Sequence, residues 1–88
     1  MKRKQVTIIN KTGLHARAAS LFVSAAGGFS SDIDVISGDT RINAKSIMGI
    51  MSGGIAQGDQ VIIEADGDDE DEALAALVAM IKDGFGEA

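Results

Sequence analysis

The segment "QVTIINKTGLHARAAS" (residues 5–20) decides the fold, because the spacing of its apolar residues changes partway along it. Val6 and Ile8 are two residues apart, which predicts a β-strand over residues 5–10 that turns both side chains to one face. Gly13 in the turn "KTGL" tolerates the positive φ that other residues resist. From Ala16 onward the apolar residues follow the period of a helix, which the glycines at 27 and 28 end. These residues are Ala19, Phe22, Val23 and Ala26.

The remaining chain alternates further strands and helices. A short helix is predicted after Ser46, which serves as its N-cap, and glycines 53 and 54 end it. The acidic residues 68–72 lie at the first turn of the last predicted helix, where the helix dipole favours negative charge. Its apolar stripe consists of Leu74, Leu77, Val78 and Ile81. Three more strands are predicted from alternating apolar residues in "SDIDVIS" (31–37), "TRINA" (40–44) and "QVIIEADG" (60–67).

The order β-α-β-β-α-β-α predicts an α+β sandwich, in which helices cover one face of a four-stranded sheet. The length of 88 residues predicts one domain, residues 1–88. Hydrophobic residues make up 45% of the chain but include only three phenylalanines and no tryptophan or tyrosine, so we expect an aliphatic core.

Composition also limits the classes of function. The absence of cysteine excludes disulfides and thiolate metal sites. We expect a cytoplasmic protein without a membrane contact, because no secretory signal follows the basic N-terminus and no apolar run approaches the roughly 20 residues that cross a bilayer. The net charge of −5 does not suit a nucleic-acid partner, since proteins that bind phosphate backbones carry a basic face.

Two segments resemble ligand-binding motifs but lack required residues. The segment "NAKS" (43–46) lacks the glycines of a phosphate-binding loop. The acidic segment "DGDDEDE" (66–72) has Asp71 where a calcium loop needs glycine, and a strand rather than a helix precedes it. We interpret this acidic segment as a solvated helix start. One histidine without cysteine is too little for a transition-metal site, so no metal or other cofactor is expected.

The single histidine, His15, is placed at the junction of the turn and the first helix. A helix start exposes backbone N–H groups and attracts anions. Arg17 adds a fixed cation that can bind phosphate oxygens with two N–H groups. This arrangement suits a site that accepts a phosphoryl group and gives it up again, although an exposed histidine without a task is the alternative. No deep polar pocket is expected, so another protein has to bring the phosphoryl donor to His15.

Four segments carry a resemblance to a known family. The segments "GLHARAA" (13–19), "NAKSIMGIMSGG" (43–54), "GDQVIIEADG" (58–67) and "DEALAALVAMI" (71–81) resemble the HPr family, the histidine-containing phosphocarriers of the bacterial phosphoenolpyruvate:sugar phosphotransferase system. The resemblance runs essentially end to end. It implies an open-faced β-sandwich with four antiparallel strands in the order 1-4-2-3 and three helices on one side. The strand order comes from the resemblance alone.

The resemblance also implies functions for individual residues. His15 would take a phosphoryl group on Nδ1 from phosphorylated Enzyme I, with phosphoenolpyruvate as the donor, and pass it to an EIIA protein in sugar uptake. Arg17 would steady the phosphoryl group. Ser46 matches the family's regulatory serine, which HPr kinase/phosphorylase phosphorylates, while the alternative from the pattern is that Ser46 is only a helix cap. Such a phosphoprotein is an intermediate in phosphoryl transfer rather than a stand-alone enzyme.

A docking surface is expected on the first and second helices. Ile47 and Met48 are adjacent on a helix, so their side chains diverge by about 100° and at least one is exposed. Methionine suits a surface that meets several partners, because it repacks easily. The resemblance implies that this surface includes Leu14, Ser20, Ile47, Met48 and Met51. One departure from the family is Ala18, where proline is usual.

Two other functions remain open at this point. The first is an NPr-like carrier of the nitrogen-related phosphotransferase branch, which does not feed a sugar transporter. The second is a regulatory binding module, in which phosphorylated Ser46 recruits a transcription regulator. His15 disfavours that module as the sole role. The chain is expected to be a monomer.

Overall fold

The computed structural model describes residues 1–87, so Ala88 of the predicted domain lies outside the described residues. The chain forms strands and helices in the predicted order. These are β1 (Lys2–Thr7), α1 (Ala16–Gly27), β2 (Asp32–Ser37), β3 (Thr40–Asn43), α2 (Ile47–Ser52), β4 (Gln60–Asp66), α3 (Glu70–Lys82) and a 3₁₀ turn (Gly84–Gly86).

The four strands form one antiparallel sheet in the order β1-β4-β2-β3. β4 lies between β1 and β2, with Val6 opposite Val61 and Val35 opposite Ile63. β3 pairs with the other edge of β2. The predicted open-faced α+β sandwich and its strand order are therefore confirmed.

The core lies between the sheet and the helices, and alternate strand residues supply its sheet side. Val6, Ile8, Ile33, Val35, Val61 and Ile63 are all buried, as the alternating pattern predicted. Phe22 of α1 and Leu77 and Ile81 of α3 close the core from the helix side. Val23, Leu74 and Val78 are only partly buried because they lie at the margins of the helix stripes. The core is aliphatic apart from Phe22 and Phe85, whose rings pack edge to face at 6.4 Å.

The first strand differs from the prediction, because β1 covers Lys2–Thr7 rather than residues 5–10. Lys2 and Lys4 pair with Ala65 and Ile63 of β4. Lysine is common on the edge strands of sheets, where it discourages pairing with other chains. Because lysine is charged, the start of β1 lacks the alternating apolar residues that predict a strand. Ile8 remains buried beyond the end of β1. Its N–H donates to the carbonyl oxygen of Asp59 at 2.9 Å, and its carbonyl oxygen accepts from the N–H of Gly58 at 2.7 Å, just before β4 begins.

The open face of the sheet carries an ion-pair network that joins all four strands. Glu64 of β4 is nearly buried and pairs with Arg3 of β1 and Arg41 of β3. Arg41 also pairs with Asp34 of β2 at 2.9 Å. The hydrogen bond from Arg41 is the main reason that the pKa of the Glu64 carboxyl lies below its usual value. Within residues 1–87, no helix is both long and apolar enough to cross a membrane.

Candidate functional site

The loop that leads to His15 has a path fixed by hydrogen bonds. Asn10 is buried, and its Nδ2 donates to the carbonyl oxygen of Gly13 at 2.9 Å, while the N–H of Gly13 donates back to the carbonyl oxygen of Asn10 at 3.2 Å. Gly13 has φ +65°, and a Cβ there would lie 2.4 Å from the carbonyl oxygen of Ile55. Only glycine therefore fits this turn. The next N–H, that of Leu14, donates to the same carbonyl oxygen at 3.1 Å.

His15 lies at the start of α1 with its side chain exposed to solvent. It is the N-cap residue, in an extended conformation (φ −138°, ψ 155°), and its side chain does not cap the helix within the described part of the chain. Ala16, Arg17 and Ala18 form the first turn, whose N–H groups have no acceptor inside a helix. The predicted position of the imidazole, exposed beside the positive end of a helix, is confirmed.

Ala16 adopts an unusual backbone conformation between the two candidate site residues. Its φ is +46°, in the left-handed region that residues with a Cβ rarely occupy. Such a conformation costs of order 1–3 kcal/mol and persists only where the surroundings impose it. The buried residues on either side, Leu14 and Ala18, provide that constraint. The strain concentrates at the residue that joins His15 to Arg17.

Arg17 is exposed, and its guanidinium is held by the C-terminal turn. Nη1 donates to the carbonyl oxygen of Phe85 at 2.8 Å. This contact orients the guanidinium, whose other N–H groups make no hydrogen bond to residues 1–87. Phe85 could not be predicted from the sequence, because a backbone acceptor 68 residues away leaves no mark in the local pattern.

Ser46 is the N-cap of α2, as predicted. Its Oγ accepts a hydrogen bond from the N–H of Gly49 at 3.0 Å. The side chain is partly buried, so the hydroxyl is engaged in the helix but not enclosed. The prediction that Ser46 caps α2 is thus confirmed.

An exposed apolar surface covers the adjoining parts of α1 and α2, which pack against each other. We call it the α1–α2 surface. Four of the five residues predicted for docking lie on it as exposed side chains, and Met48 is 78% exposed. Leu21 was missed, although three consecutive apolar residues in a helix, Leu21 to Val23, cannot all face the core. The surface consists of Ser20, Leu21, Ile47, Met48 and Met51.

Leu14 does not belong to the α1–α2 surface, so its prediction as a docking residue is wrong. Its side chain is 1% exposed and part of the hydrophobic core. The hydrogen bond of its N–H to Ile55 draws the backbone inward just before His15 emerges.

Two surface cavities lie elsewhere, beside β1 and α3, and neither is lined by His15 or Ser46. His15 itself is exposed to solvent, so a partner protein can reach its imidazole.

Comparison with known proteins identifies the family. A family model described as "PTS HPr component phosphorylation site" matches residues 2–83. The phosphocarrier protein HPr of Neisseria meningitidis is 46% identical over 87 residues, which cover 99% of this chain and 98% of the relative. The chain belongs to the HPr family. Among solved HPr structures, HPr-C-His from Thermoanaerobacter tengcongensis superposes with a TM-score of 0.98 at 56% identity, covering 100% of this chain and 99% of the other.

A second type of relative also shares the HPr fold. Crh, a catabolite repression protein of Bacillus subtilis, was solved as a dimer with a swapped domain. It has a TM-score of 0.76 and 43% identity to this chain, covering 96% of this chain and 97% of the other. Both HPr phosphocarriers and the catabolite repression protein Crh are thus similar to this protein.

Proposed function

We propose that this protein carries a phosphoryl group on His15, accepting it from phosphorylated Enzyme I and passing it to an EIIA protein in sugar uptake. The observation that carries the proposal is the exposed imidazole of His15 at the N-terminus of α1, next to Arg17. An open site suits a carrier, because both its donor and its acceptor are proteins that must reach the same atom.

The transfer itself needs only groups that lie at this site. An imidazole nitrogen, Nδ1 by resemblance to the family, forms a bond to phosphorus as the bond between phosphorus and Enzyme I breaks. The other ring nitrogen keeps its proton, so no separate base is required. The first-turn N–H groups of α1 and the guanidinium of Arg17 then stabilise a charge of about −2 on the phosphoryl group. Transfer to EIIA is the reverse exchange with a new acceptor.

We also propose that Ser46 is a regulatory site phosphorylated by HPr kinase/phosphorylase. A phosphate oxygen can accept the Gly49 N–H that the hydroxyl accepts now, so α2 need not unfold. The new charge would lie beside Ile47 and Met48 on the α1–α2 surface, where Enzyme I and EIIA would dock. It would weaken docking of acidic partners and favour an arginine-bearing one, such as a transcription regulator.

The alternatives are distinguished by which partners exchange phosphate with His15. An NPr-like carrier would pass its phosphoryl group to an EIIA of the nitrogen branch. A purely regulatory module, for which the likeness to Crh is the specific support, would respond only through Ser46. We further propose that residues 1–88 form one cytoplasmic domain that acts as a monomer. Sedimentation of the pure protein tests the last point, because a swapped dimer of the kind seen in Crh would have twice the mass.

The decisive experiment supplies Enzyme I and labelled phosphoenolpyruvate. We expect one phosphoryl group per chain, labile in acid and stable in alkali, and none in His15→Ala. Ser46→Ala is the matched control and should label like the wild type. Offering EIIA proteins of the sugar and the nitrogen branch to the labelled protein then identifies the acceptor. Label that persists in His15→Ala would overturn the carrier function.

The regulatory proposal has its own assay. HPr kinase and ATP should give an acid-stable phosphoprotein, which Ser46→Ala abolishes and His15→Ala does not. Absence of acid-stable label in the wild type would leave Ser46 as a helix cap only.

A further inference from the structure

The C-terminal turn contacts the loop before His15 and Arg17 after it. We infer that Glu87 is a positioning residue for phosphoryl transfer, because it fixes the loop from which His15 emerges. The turn and Glu87 together, residues 84–87, are called the C-terminal clasp below. This inference rests on the proposed phosphorylation of His15.

Glu87 holds the loop through two side chains. One of its carboxylate oxygens, Oε2, accepts hydrogen bonds from Nδ2 of Asn10 and from Oγ1 of Thr12, both at 3.1 Å. Asn10 and Thr12 precede His15 by five and three residues and belong to the turn that Gly13 closes. A negative carboxylate makes stronger hydrogen bonds than a neutral acceptor. The contacts therefore restrict the movement of the loop and do more than shield it from solvent.

Asn10 makes the loop sensitive to this contact. Its side chain is buried, and its Oδ1 has no hydrogen-bond partner among the described residues. The orientation of the amide therefore depends on the acceptors around Nδ2, which are Gly13, Thr12 and Glu87. Removing Glu87 takes away one of the acceptors that hold Asn10 in the orientation that closes the turn before His15.

The clasp is anchored firmly enough to impose a position. Phe85 is 4% exposed and packs edge to face on Phe22 of α1. The N–H of Gly86 donates to Asp83 and that of Glu87 to Gly84, at 3.2 and 3.0 Å, so the clasp continues directly from α3. α3 in turn packs against α1 and the sheet. Glu87 is thus attached to the rigid part of the molecule.

The same clasp acts on both sides of His15. The carbonyl oxygen of Phe85 accepts from Arg17, and the carboxylate of Glu87 accepts from the loop before His15. The loop before His15 and the guanidinium of Arg17 are therefore both held by one common element. Small misplacements of reacting groups reduce rates strongly even where binding persists, so loosening the clasp should act on the rate of transfer.

The test compares Glu87→Gln with Glu87→Ala. Both variants remove the same negative charge, but only glutamine keeps an oxygen that can accept from Asn10 and Thr12. The assay supplies Enzyme I and phosphoenolpyruvate, with the variant as the substrate. We expect kcat for His15 phosphorylation to be about threefold to tenfold lower in Glu87→Ala than in Glu87→Gln. The KM of Enzyme I for the two variants should agree within about twofold. Glu87 lies at the surface beyond α3, so both variants should fold, as circular dichroism would verify.

Each other outcome overturns the inference. Equal rates in the two variants would mean that the hydrogen bonds do not position the loop. A change in KM alone would make Glu87 a partner contact, and a lower Tm with unchanged kcat would make the clasp purely structural. If the wild type itself takes no phosphoryl group on His15, the proposed function fails, and this result is distinct from failure of the clasp.

Discussion

At the scale of single residues, the exposure of His15 is produced by its neighbours. Leu14 is drawn into the core, and Ala18 and Ala19 are buried on α1, while His15 and Arg17 stay outside. The chain passes from a core residue to an exposed one and back within five residues. That path is possible because Ala16 turns through a left-handed conformation. The strain at Ala16 is thus tied to the presentation of the imidazole.

Substituting Ala16 by glycine should relieve this strain. Glycine occupies φ +46° without the steric cost that a Cβ imposes, so Ala16→Gly should raise the free energy of unfolding by about 1 kcal/mol despite the larger entropy of the unfolded chain. Urea denaturation measures the change. The matched control is Ala79→Gly on the exposed side of α3, which should lower the free energy of unfolding by about 1 kcal/mol. A loss of stability in Ala16→Gly would contradict the strain.

The sequence predicted the positions of the candidate site residues in the fold but not the contacts that support them. His15, Arg17 and the Ser46 cap could be placed from local signals, namely a turn glycine, a helix start and a capping serine. Leu14 was misplaced because the hydrogen bond from its N–H to Ile55, about forty residues away, does not follow from local spacing. Contacts between residues distant in sequence, such as that of Arg17 with Phe85, follow from the tertiary fold and not from spacing.

At the scale of elements, α2 depends on its surroundings. It has six residues, whereas isolated helices shorter than about 12 residues are marginal in water. Ile50 is its one buried residue and anchors it to the core, the Ser46 cap holds its start, and Ser52 Oγ donates back to the carbonyl oxygen of Met48 at 2.7 Å. Since one buried residue suffices, the other apolar side chains of α2 remain exposed.

Met48 should therefore matter for docking and not for folding. It is 78% exposed, so Met48→Ala should change the free energy of unfolding by less than about 0.5 kcal/mol. The same substitution should raise the KM of Enzyme I for this protein several-fold and leave kcat nearly unchanged, because we expect the side chain to make apolar contact with the partner. Ile9→Ala, which changes an exposed apolar residue beyond β1, is the control and should leave KM unchanged. Equal KM values in both variants would exclude Met48 from the docking surface.

Strand and helix positions were largely predictable because burial imposes a period. Ile33, Val35, Val61 and Ile63 alternate in the sequence and all face the core. The start of β1 was not predictable in this way, because its lysines are exposed and it is held by backbone pairing with β4. The strand order, too, came from the family resemblance, since periodicity gives the faces of strands but not their neighbours.

At the scale of the whole molecule, charged groups tie the two layers together at the start of α3. Asp69 accepts hydrogen bonds from the N–H groups of Ser30 and Ser31 at 2.8 and 2.9 Å and from the hydroxyl of Ser31. These bonds attach α3 to the start of β2. The N-terminal amine of Met1 adds an ion pair to Glu70 at 3.1 Å, which joins the same helix to β1. The acidic helix start is therefore a structural joint as well as a solvated surface.

This joint predicts how stability depends on pH. The hydroxyl of Ser31 and the N–H groups of Ser30 and Ser31 lower the pKa of Asp69 to about 2. In the unfolded chain, the pKa of an aspartate is about 4. The carboxylate therefore stabilises the fold fully above about pH 4, and this contribution is lost as the pH falls towards 2. Asp69→Asn should be less stable than the wild type at pH 7, and the difference should narrow between about pH 4 and pH 2.

Urea denaturation at pH 7, 5, 3 and 2 measures this difference. Asp68→Asn changes an exposed neighbouring aspartate and is the control, which should stay within about 0.5 kcal/mol of the wild type throughout. A difference for Asp69→Asn that is the same at every pH would show that the shape of the side chain, and not its charge, joins α3 to β2. A difference that narrows only in the Asp69 variant would locate part of the acid sensitivity of the whole fold at one carboxylate.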